Sequence, residues 1–153
     1  MITFEAVTEA TMEEILEILN SNPVYNELEN GNPMRSEKEV RNEFLNTETE
    51  SLLVKVEDRN IGVIDFLPNN PKDKTPWIGL LMIHGVYQGK GYGRKVYEAL
   101  EEKLIEENYH NVRLGVLQEN EAAKAFWITQ GYEYYRTIQW EGKKVDCFEK
   151  ELQ

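Results

Sequence analysis

The sequence has one cysteine, Cys147, and no run of the roughly 20 apolar residues that a membrane span needs. A single cysteine cannot form an internal disulfide, and no charged and then apolar leader opens the chain. We therefore expect a protein of the reducing cytoplasm that does not enter a membrane. Basic residues are scarce too, with 17 Lys+Arg against 28 Asp+Glu and a formal net charge of -11. This excess argues against non-specific binding to nucleic acid or anionic lipid.

The remaining composition is that of one globular domain. The chain has 153 residues, of which 41% are apolar and 10% aromatic, so it can bury a core without disulfides or metal ions. It shows no internal repeat and no linker. We expect a single domain over residues 1–153, without a metal site.

The negative charge is concentrated near the N-terminus. Residues 1–50 hold 12 acidic and 3 basic residues, whereas residues 77–153 hold 12 and 10. Solvated helix faces are the simpler explanation of such a concentration. The alternative is that the two parts of the chain face ligands of different charge.

Short periodic segments predict a domain of the α/β or α+β class. A strand is predicted at residues 2–8, followed by a helix that Thr11 caps, whereas residues 20–35 are rich in Asn and Pro and indicate a long loop or broken helix. Further helices are predicted to begin near residues 36, 92 and 120. The other predicted strands are 51–58, 60–67, 77–84, 111–117 and a hairpin around residues 141–142.

The strongest local signal is the glycine-rich segment at residues 88–94, between an apolar strand and a helix. Glycines let the backbone approach a ligand, and the free N–H groups that begin the helix attract anions. The spacing from Gly85 to Gly89 is one residue short of a phosphate loop. Gly89, Gly91 and Gly93 run GxGxG, so the dinucleotide pattern GxGxxG fails as well. A tight turn without a ligand is the alternative.

Two motifs resemble those of the GNAT superfamily of acyl-CoA-dependent N-acyltransferases. The family pattern Q/R-x-x-G-x-G/A is matched by Gln88, Gly91 and Gly93, between the strand and the helix that the family has. The second pattern, N-x-x-A-x-x-L/F-Y/W-x-x-x-G-F/Y, is matched by Asn120, Ala123, Phe126, Trp127, Gly131 and Tyr132. The order of predicted elements also matches, so the resemblance covers essentially the whole chain. It implies one GNAT-like domain with a central mixed, mostly antiparallel sheet flanked by about four helices.

The resemblance implies acetyl-CoA as the cofactor. In the family, the glycine turn holds the pyrophosphate, and the end of the preceding strand pairs with the pantetheine arm. Lys90, Arg94 and Lys95 either add positive charge near the phosphates or are ordinary exposed charges. Asn120 matches an asparagine that bonds the cofactor arm, although Asn is also a favoured helix cap. The expected cofactor-binding residues are Leu81, Met82, Ile83, Gln88, Gly89, Lys90, Gly91, Tyr92, Gly93, Arg94, Asn120, Phe126 and Trp127.

Three positions where family members carry an acid or base hold other residues here. Trp127 stands where many members have Tyr, Gly115 where some have Glu, and Trp77 at a common site for the base. An indole N–H donates a hydrogen bond but cannot supply a proton near neutral pH. Catalysis would then depend on positioning, with protons moving through water, or on residues placed elsewhere.

Three other residues are candidates for catalytic groups. Asp65 is the one acid in an apolar strand, so it could bind the substrate ammonium or relay its proton, unless it faces solvent on the opposite face. His84 ends the strand before the glycine turn and could act as a base, or its role could be structural. Tyr134 could reach the thiol, whereas Tyr132 and Cys147 are expected in the core.

The predicted activity is transfer of an acetyl group from acetyl-CoA to a small primary amine by direct attack in a ternary complex. In the family, the segment equivalent to residues 11–47 helps to wall the acceptor site, and its negative charge predicts a cationic acceptor such as a polyamine or aminoglycoside. One alternative is a non-catalytic acyl-CoA-binding module, and another is acetylation of protein N-termini or lysines. Dimers are frequent in the family, so a homodimer is included among the expected partners.

Overall fold

A computed structural model describes residues 1–152 and arranges seven strands into one sheet. The strands are β1 (Ile2–Ala6), β2 (Glu50–Val56), β3 (Arg59–Leu67), β4 (Trp77–Ile83), β5 (Asn111–Leu117), β6 (Glu133–Trp140) and β7 (Lys143–Glu151). Their order in the sheet is β1-β2-β3-β4-β5-β7-β6, and β4–β5 is the one parallel pair among them. The predicted mixed, mostly antiparallel sheet is confirmed.

Within residues 1–152, five α-helices accompany the sheet, one more than the four predicted. They are α1 (Met12–Asn20), α2 (Pro23–Asn30), α3 (Glu37–Phe44), α4 (Tyr92–Glu106) and α5 (Glu121–Thr129). Among the described residues, no helix combines the length and the apolar character that crossing a membrane requires.

The additional helix, α2, lies where the sequence indicated a long loop or broken helix. It has Pro23 in its first turn and ends at Gly31, whose φ is 75°, and both are typical of helix boundaries. Its buried residue is Asn26, which donates to the carbonyl oxygens of Leu19 at 2.8 Å and Pro33 at 3.1 Å. Because a polar side chain anchors α2, the helix lacks the apolar periodicity by which it could have been found.

Apolar side chains cover both faces of the sheet and form two cores. One core lies against α4 and α5, and it buries Tyr97, Leu100 and Trp127. The other lies against α1 and α3. Tyr132 and Cys147 are buried, as expected from the sequence.

The parallel strands β4 and β5 separate soon after they meet. Trp77 pairs with Arg113 and Ile78 with Leu114, and no further pair forms between the described residues of these strands. On its other side, β4 pairs with β3 in a register that shifts at Gly79, which is left without a partner on β3. A bulge of this kind bends a strand and increases its twist. A cleft therefore opens in the middle of the sheet.

Candidate active site

The gap between β4 and β5 forms a cavity of about 730 Å³. Residues 77–83 of β4 line one side, and residues 114–117 of β5 and part of α5 line the other. The three predicted strand residues Leu81, Met82 and Ile83 all lie along it. Where the strands have separated, an extended ligand can bond to the backbone of β4 as an added strand does.

The glycine turn lies at the end of the cleft where β4 ends. Gly89 and Gly91 have φ values of 77° and 82°, and a Cβ at either position would meet no atom within 4 Å. Gly91 is the N-cap of α4, and no side chain caps this end. The first N–H groups of a helix lack partners inside the helix, and its dipole favours an anion there. The turn thus has the open space and the donors that a phosphate group requires.

All of the predicted cofactor residues line the cleft except Lys90 and Arg94. Both side chains are exposed beside the turn. The Lys90 ammonium lies 6.0 Å from the centre of the Tyr87 ring, and Arg94 Nε lies 3.8 Å from a carboxylate oxygen of Glu98. Lys95 is exposed in the same way above the Tyr92 ring. These cations can attract an anion toward the turn, but they are not part of the cavity wall.

Two polar side chains of the motifs are bonded within the chain. Gln88 Nε2 donates to the carbonyl oxygen of Ile83 at 2.8 Å and to Asn22 Oδ1, which joins the glycine turn to the start of α2. Asn120 Oδ1 accepts a hydrogen bond from the backbone N–H of Ala123 at 3.1 Å. Asn120 is therefore the N-cap of α5 and also lines the cleft.

The rest of the cleft wall combines an expected segment with residues that the sequence did not single out. Asn22, Tyr25 and Glu29 around α2 belong to residues 11–47, where the acceptor site was expected. The others include Asn70, Lys72 and Asp73 before β4, and Arg136, Ile138, Trp140 and Val145 on the β6–β7 hairpin. The period-2 spacing of 136, 138 and 140 indicates that they share one face of a strand. No sequence signal shows that this face meets α2.

A network of charged groups holds Trp77 against this wall. Its indole N–H donates to both carboxylate oxygens of Asp73, at 2.9 and 3.1 Å, and Asp73 also accepts from Arg113 Nη1 at 3.0 Å. Gly115 leaves room beside the ring, because a Cβ there would lie 3.7 Å from Trp77 Cζ3 and 2.8 Å from Val145 Cγ1. Two positions where family members carry an acid or base thus form an apolar surface in this chain.

Asp65 is buried, with 5% of its surface exposed, so the alternative that it faces solvent is wrong. Ser51 Oγ donates to its carboxylate at 2.9 Å, and burial raises the pKa of Asp65. It lies next to Gly79, where a Cβ would be 3.4 Å from its Oδ2 atom. Asp65 is not among the residues that line the cleft.

His84 and Tyr134 also lie outside the cleft wall. His84 Nδ1 accepts from the backbone N–H of Val86 at 3.0 Å, and its Nε2 lies 2.7 Å from Glu17 Oε1, which ties the turn to α1. These contacts favour a structural role for His84 over the role of a base. Tyr134 is 56% exposed, and its hydroxyl lies 2.8 Å from Thr137 Oγ1.

Glu29 is the one acidic residue from residues 1–50 that lines the cleft. Burial raises the pKa of Glu29, whereas the cations Arg35 and Lys143 act in the opposite direction. Burial and the nearby Glu29 also raise the pKa of Tyr25, so its phenol stays protonated near neutral pH. Tyr25 can therefore serve as a hydrogen-bond donor but not as a base.

The model of the Acetyltransferase (GNAT) family matches residues 12–132. An acetyltransferase from Thermus thermophilus has a similar structure, with a TM-score of 0.83 and 21% identity over 99% of this chain and 97% of that chain. No curated protein sequence matches the chain.

Two further solved structures are similar at low identity. The spermidine N-acetyltransferase from Vibrio cholerae, in complex with CoA and spermine, has a TM-score of 0.76 and 20% identity over 98% of this chain and 95% of that chain. The ribosomal-protein-S18-alanine N-acetyltransferase from Escherichia coli has a TM-score of 0.76 and 13% identity over 99% of this chain and 94% of that chain. At these identities the likeness shows the fold alone.

Proposed function

Since the chain belongs to the acetyltransferase (GNAT) family, we propose that it transfers an acetyl group from acetyl-CoA to the nitrogen of a small primary amine. The observation that carries this proposal is the cleft that opens where β4 and β5 separate. One end of the cleft meets an uncapped helix N-terminus, and the cleft extends from there to residues around Trp77. We propose that the cofactor and the acceptor bind there together, as direct transfer in a ternary complex requires.

The residues that line the cleft fit acetyl-CoA. The backbone N–H groups of residues 89–93 would hold its phosphates, and the edge of β4 at residues 81–83 would bond its extended arm. Asn120, Phe126 and Trp127 would flank that arm from α5. When bound, acetyl-CoA supplies the activated acetyl group.

We assign catalysis to positioning, because Asp65, His84 and Tyr134 lie outside the cleft wall. The Glu29 carboxylate draws the ammonium of the acceptor into the cleft. The apolar surface around Trp77 then excludes water, and this favours the neutral amine, which is the nucleophile. The unpaired backbone of β4 could donate to the carbonyl oxygen, on which negative charge develops as the nitrogen replaces the thiolate, and water would carry the proton lost by the nitrogen to that thiolate.

A non-catalytic acyl-CoA-binding module is the second candidate. It is favoured by the same placement of Asp65, His84 and Tyr134, which leaves the cleft without the acid and base that the sequence suggested. The preference for a cationic small molecule, the homodimer and the cytoplasmic location stay predictions.

Release of the CoA thiol separates these possibilities. The purified chain would be incubated with acetyl-CoA and small primary amines, and in parallel with peptides that carry a free N-terminus or a lysine. Turnover on small amines is the expected result. Tight binding of acetyl-CoA without turnover on any acceptor would instead establish a binding module, and turnover on peptides alone would contradict a small-molecule acceptor.

The phosphate-binding role of the glycine turn is tested by Gly91→Ala. The new methyl group would enter the open space above the turn, and the left-handed φ would add strain of about 1–2 kcal/mol. Loss of even one hydrogen bond to a charged group raises the KM for acetyl-CoA at least about tenfold. Gly142→Ala is the matched control, because Gly142 has a φ of 77° and equally open surroundings in the β6–β7 turn. Equal acetyl-CoA affinity of the two variants in titration calorimetry would argue against the phosphate site.

A further inference from the structure

Charged residues of both signs line the acceptor part of the cleft. Glu29 on α2 is acidic, whereas Lys72 before β4 and Arg136 on β6 are basic. Asp73 also lines the cleft, but its carboxylate already binds Arg113 Nη1 and the indole N–H of Trp77. The charges that are left for a ligand are therefore one anion and two cations.

The two cations are not used by carboxylates of the chain. Among residues 1–152, neither Arg136 nor Lys72 has an acidic oxygen within 4.0 Å, although one acidic residue follows Lys72 in the chain and another lies on β7, the strand paired with β6. Both of these, Asp73 and Glu149, bind Arg113 instead, at 3.0 and 2.8 Å. The neighbour of Arg136 across the strand pair is Cys147, a neutral thiol. The guanidinium fork thus lines the cleft with donors that suit a carboxylate.

Apolar groups make up much of the wall around these charges. Trp77, Ile138, Trp140 and Val145 all line the cleft, and the bond to Asp73 fixes the ring of Trp77. A polycation of extended form would find one carboxylate there, that of Glu29, and would place further ammonium groups near Lys72 and Arg136. Like charges brought together in this way oppose binding.

We infer that the acceptor is an amino acid in the broad sense, a molecule with a primary amine, an apolar segment and a carboxylate that Arg136 binds. Glu29 receives the ammonium, Arg136 and Lys72 receive the carboxylate, and the two tryptophans contact the segment between them. This inference rests on the proposed acetyl transfer and narrows its acceptor. It differs from the polycationic acceptor that the charge of residues 1–50 predicted.

Acceptors matched in length test this inference. An ω-amino acid, the n-alkylamine and the diamine share one chain and differ in a terminal group that is anionic, neutral or cationic. At the best chain length, we expect kcat/KM for the amino acid to exceed the other two by about tenfold or more, as a charge-assisted hydrogen bond allows. Apolar α-amino acids and their decarboxylated amines form a second matched set.

The substitution Arg136→Gln tests whether Arg136 causes the preference for the amino acid. It should lower kcat/KM for the amino acid about 10- to 100-fold and leave that for the alkylamine within about twofold. Arg136→Lys keeps the charge without the fork, so its kcat/KM for the amino acid should lie between that of the unchanged protein and that of Arg136→Gln. Arg59→Gln, an exposed arginine at the start of β3, is the control and should change none of the three rates.

Two results would overturn the inference. One is a higher kcat/KM for the diamine than for the amino acid, and the other is an equal loss of kcat/KM for all three acceptors in Arg136→Gln. Absence of turnover on any acceptor would contradict the proposed function instead. In that case, calorimetric titration of the same three compounds into the acetyl-CoA complex still decides whether the anionic end is preferred.

Discussion

At the scale of single residues, the position of Asp65 in β3 decides which side of the sheet its carboxylate faces. Its neighbours Ile64 and Phe66 belong to the core against α4, so Asp65 faces the other side of the sheet. There, Ser51 donates to its carboxylate and burial raises its pKa. Asp65 is best explained as a buried polar group that is bonded to β2, at the point where the bulge at Gly79 begins.

The raised pKa of Asp65 predicts how stability depends on pH. The folded state binds the proton more tightly than the unfolded state, so stability is greatest below the unfolded pKa and is lost as pH rises through the folded pKa. Burial raises the pKa of Glu29 and Glu43 as well, and these residues act in the same direction. Asp65→Asn keeps an oxygen for Ser51 and removes the ionisation, so it should stabilise the protein at pH 8 more than at pH 5.

Urea unfolding at several pH values measures this effect. Asp58→Asn is the control, because Asp58 is an exposed residue of the β2–β3 turn. The Asp65 variant should also retain kcat/KM within about threefold, or roughly 0.7 kcal/mol of barrier, because Asp65 is not part of the cleft wall and Asn keeps the oxygen that Ser51 binds. A severe loss of turnover in a folded Asp65→Asn protein would restore the catalytic role that the sequence suggested.

At the scale of elements, α2 and the β6–β7 hairpin together wall the part of the cleft proposed for the acceptor. Lys143 joins them, because its Nζ donates to the carbonyl oxygens of Leu28 and Glu29, both at 2.8 Å. The last carbonyls of a helix have no partner within the helix, so a cation there satisfies them and also suits the helix dipole. The hairpin thereby sets the position of the Glu29 end of α2.

Loss of this link should affect the acceptor more than the cofactor. Lys143→Gln should raise the KM for the amine about fivefold, because a hydrogen bond from a partly exposed charged group contributes about 1 kcal/mol. The value of kcat and the KM for acetyl-CoA should stay the same. Lys144→Gln removes the neighbouring exposed charge and is the control in steady-state kinetics. An equal rise of both KM values in Lys143→Gln would show that the link supports the fold as a whole.

At the scale of the whole molecule, the charge of -11 is mostly a property of the surface. Residues 1–50 hold 12 of the acidic side chains, yet Glu29 is the one that lines the cleft. The simpler explanation of the acidic region, solvated helix faces, thus accounts for most of it. Such a surface repels itself in the folded state, and salt screens this repulsion.

Salt should therefore stabilise the protein. Addition of about 0.2 M NaCl at pH 7.5 should raise Tm by about 2–4 °C, the change that corresponds to about 1 kcal/mol for a chain of this size. The double substitution Glu27→Gln and Glu48→Gln removes two exposed acids, so it should raise Tm at low salt and reduce the effect of salt. A Tm that does not change with salt in either protein would show that the acidic surface causes no net repulsion.

The sequence by itself determined the family and the order of most elements, and it predicted cofactor residues most of which line one cleft. The reason is that these features are local: glycines that need a positive φ at residues 89 and 91, a capping Asn at residue 120, and strands and helices with clear periods. The tertiary structure decided the half of the cleft that is proposed for the acceptor, because its wall brings together residues as distant as Tyr25, Trp77 and Arg136. It also decided which acids face the cleft, since a strand that is apolar on both faces does not reveal in its sequence which side Asp65 takes.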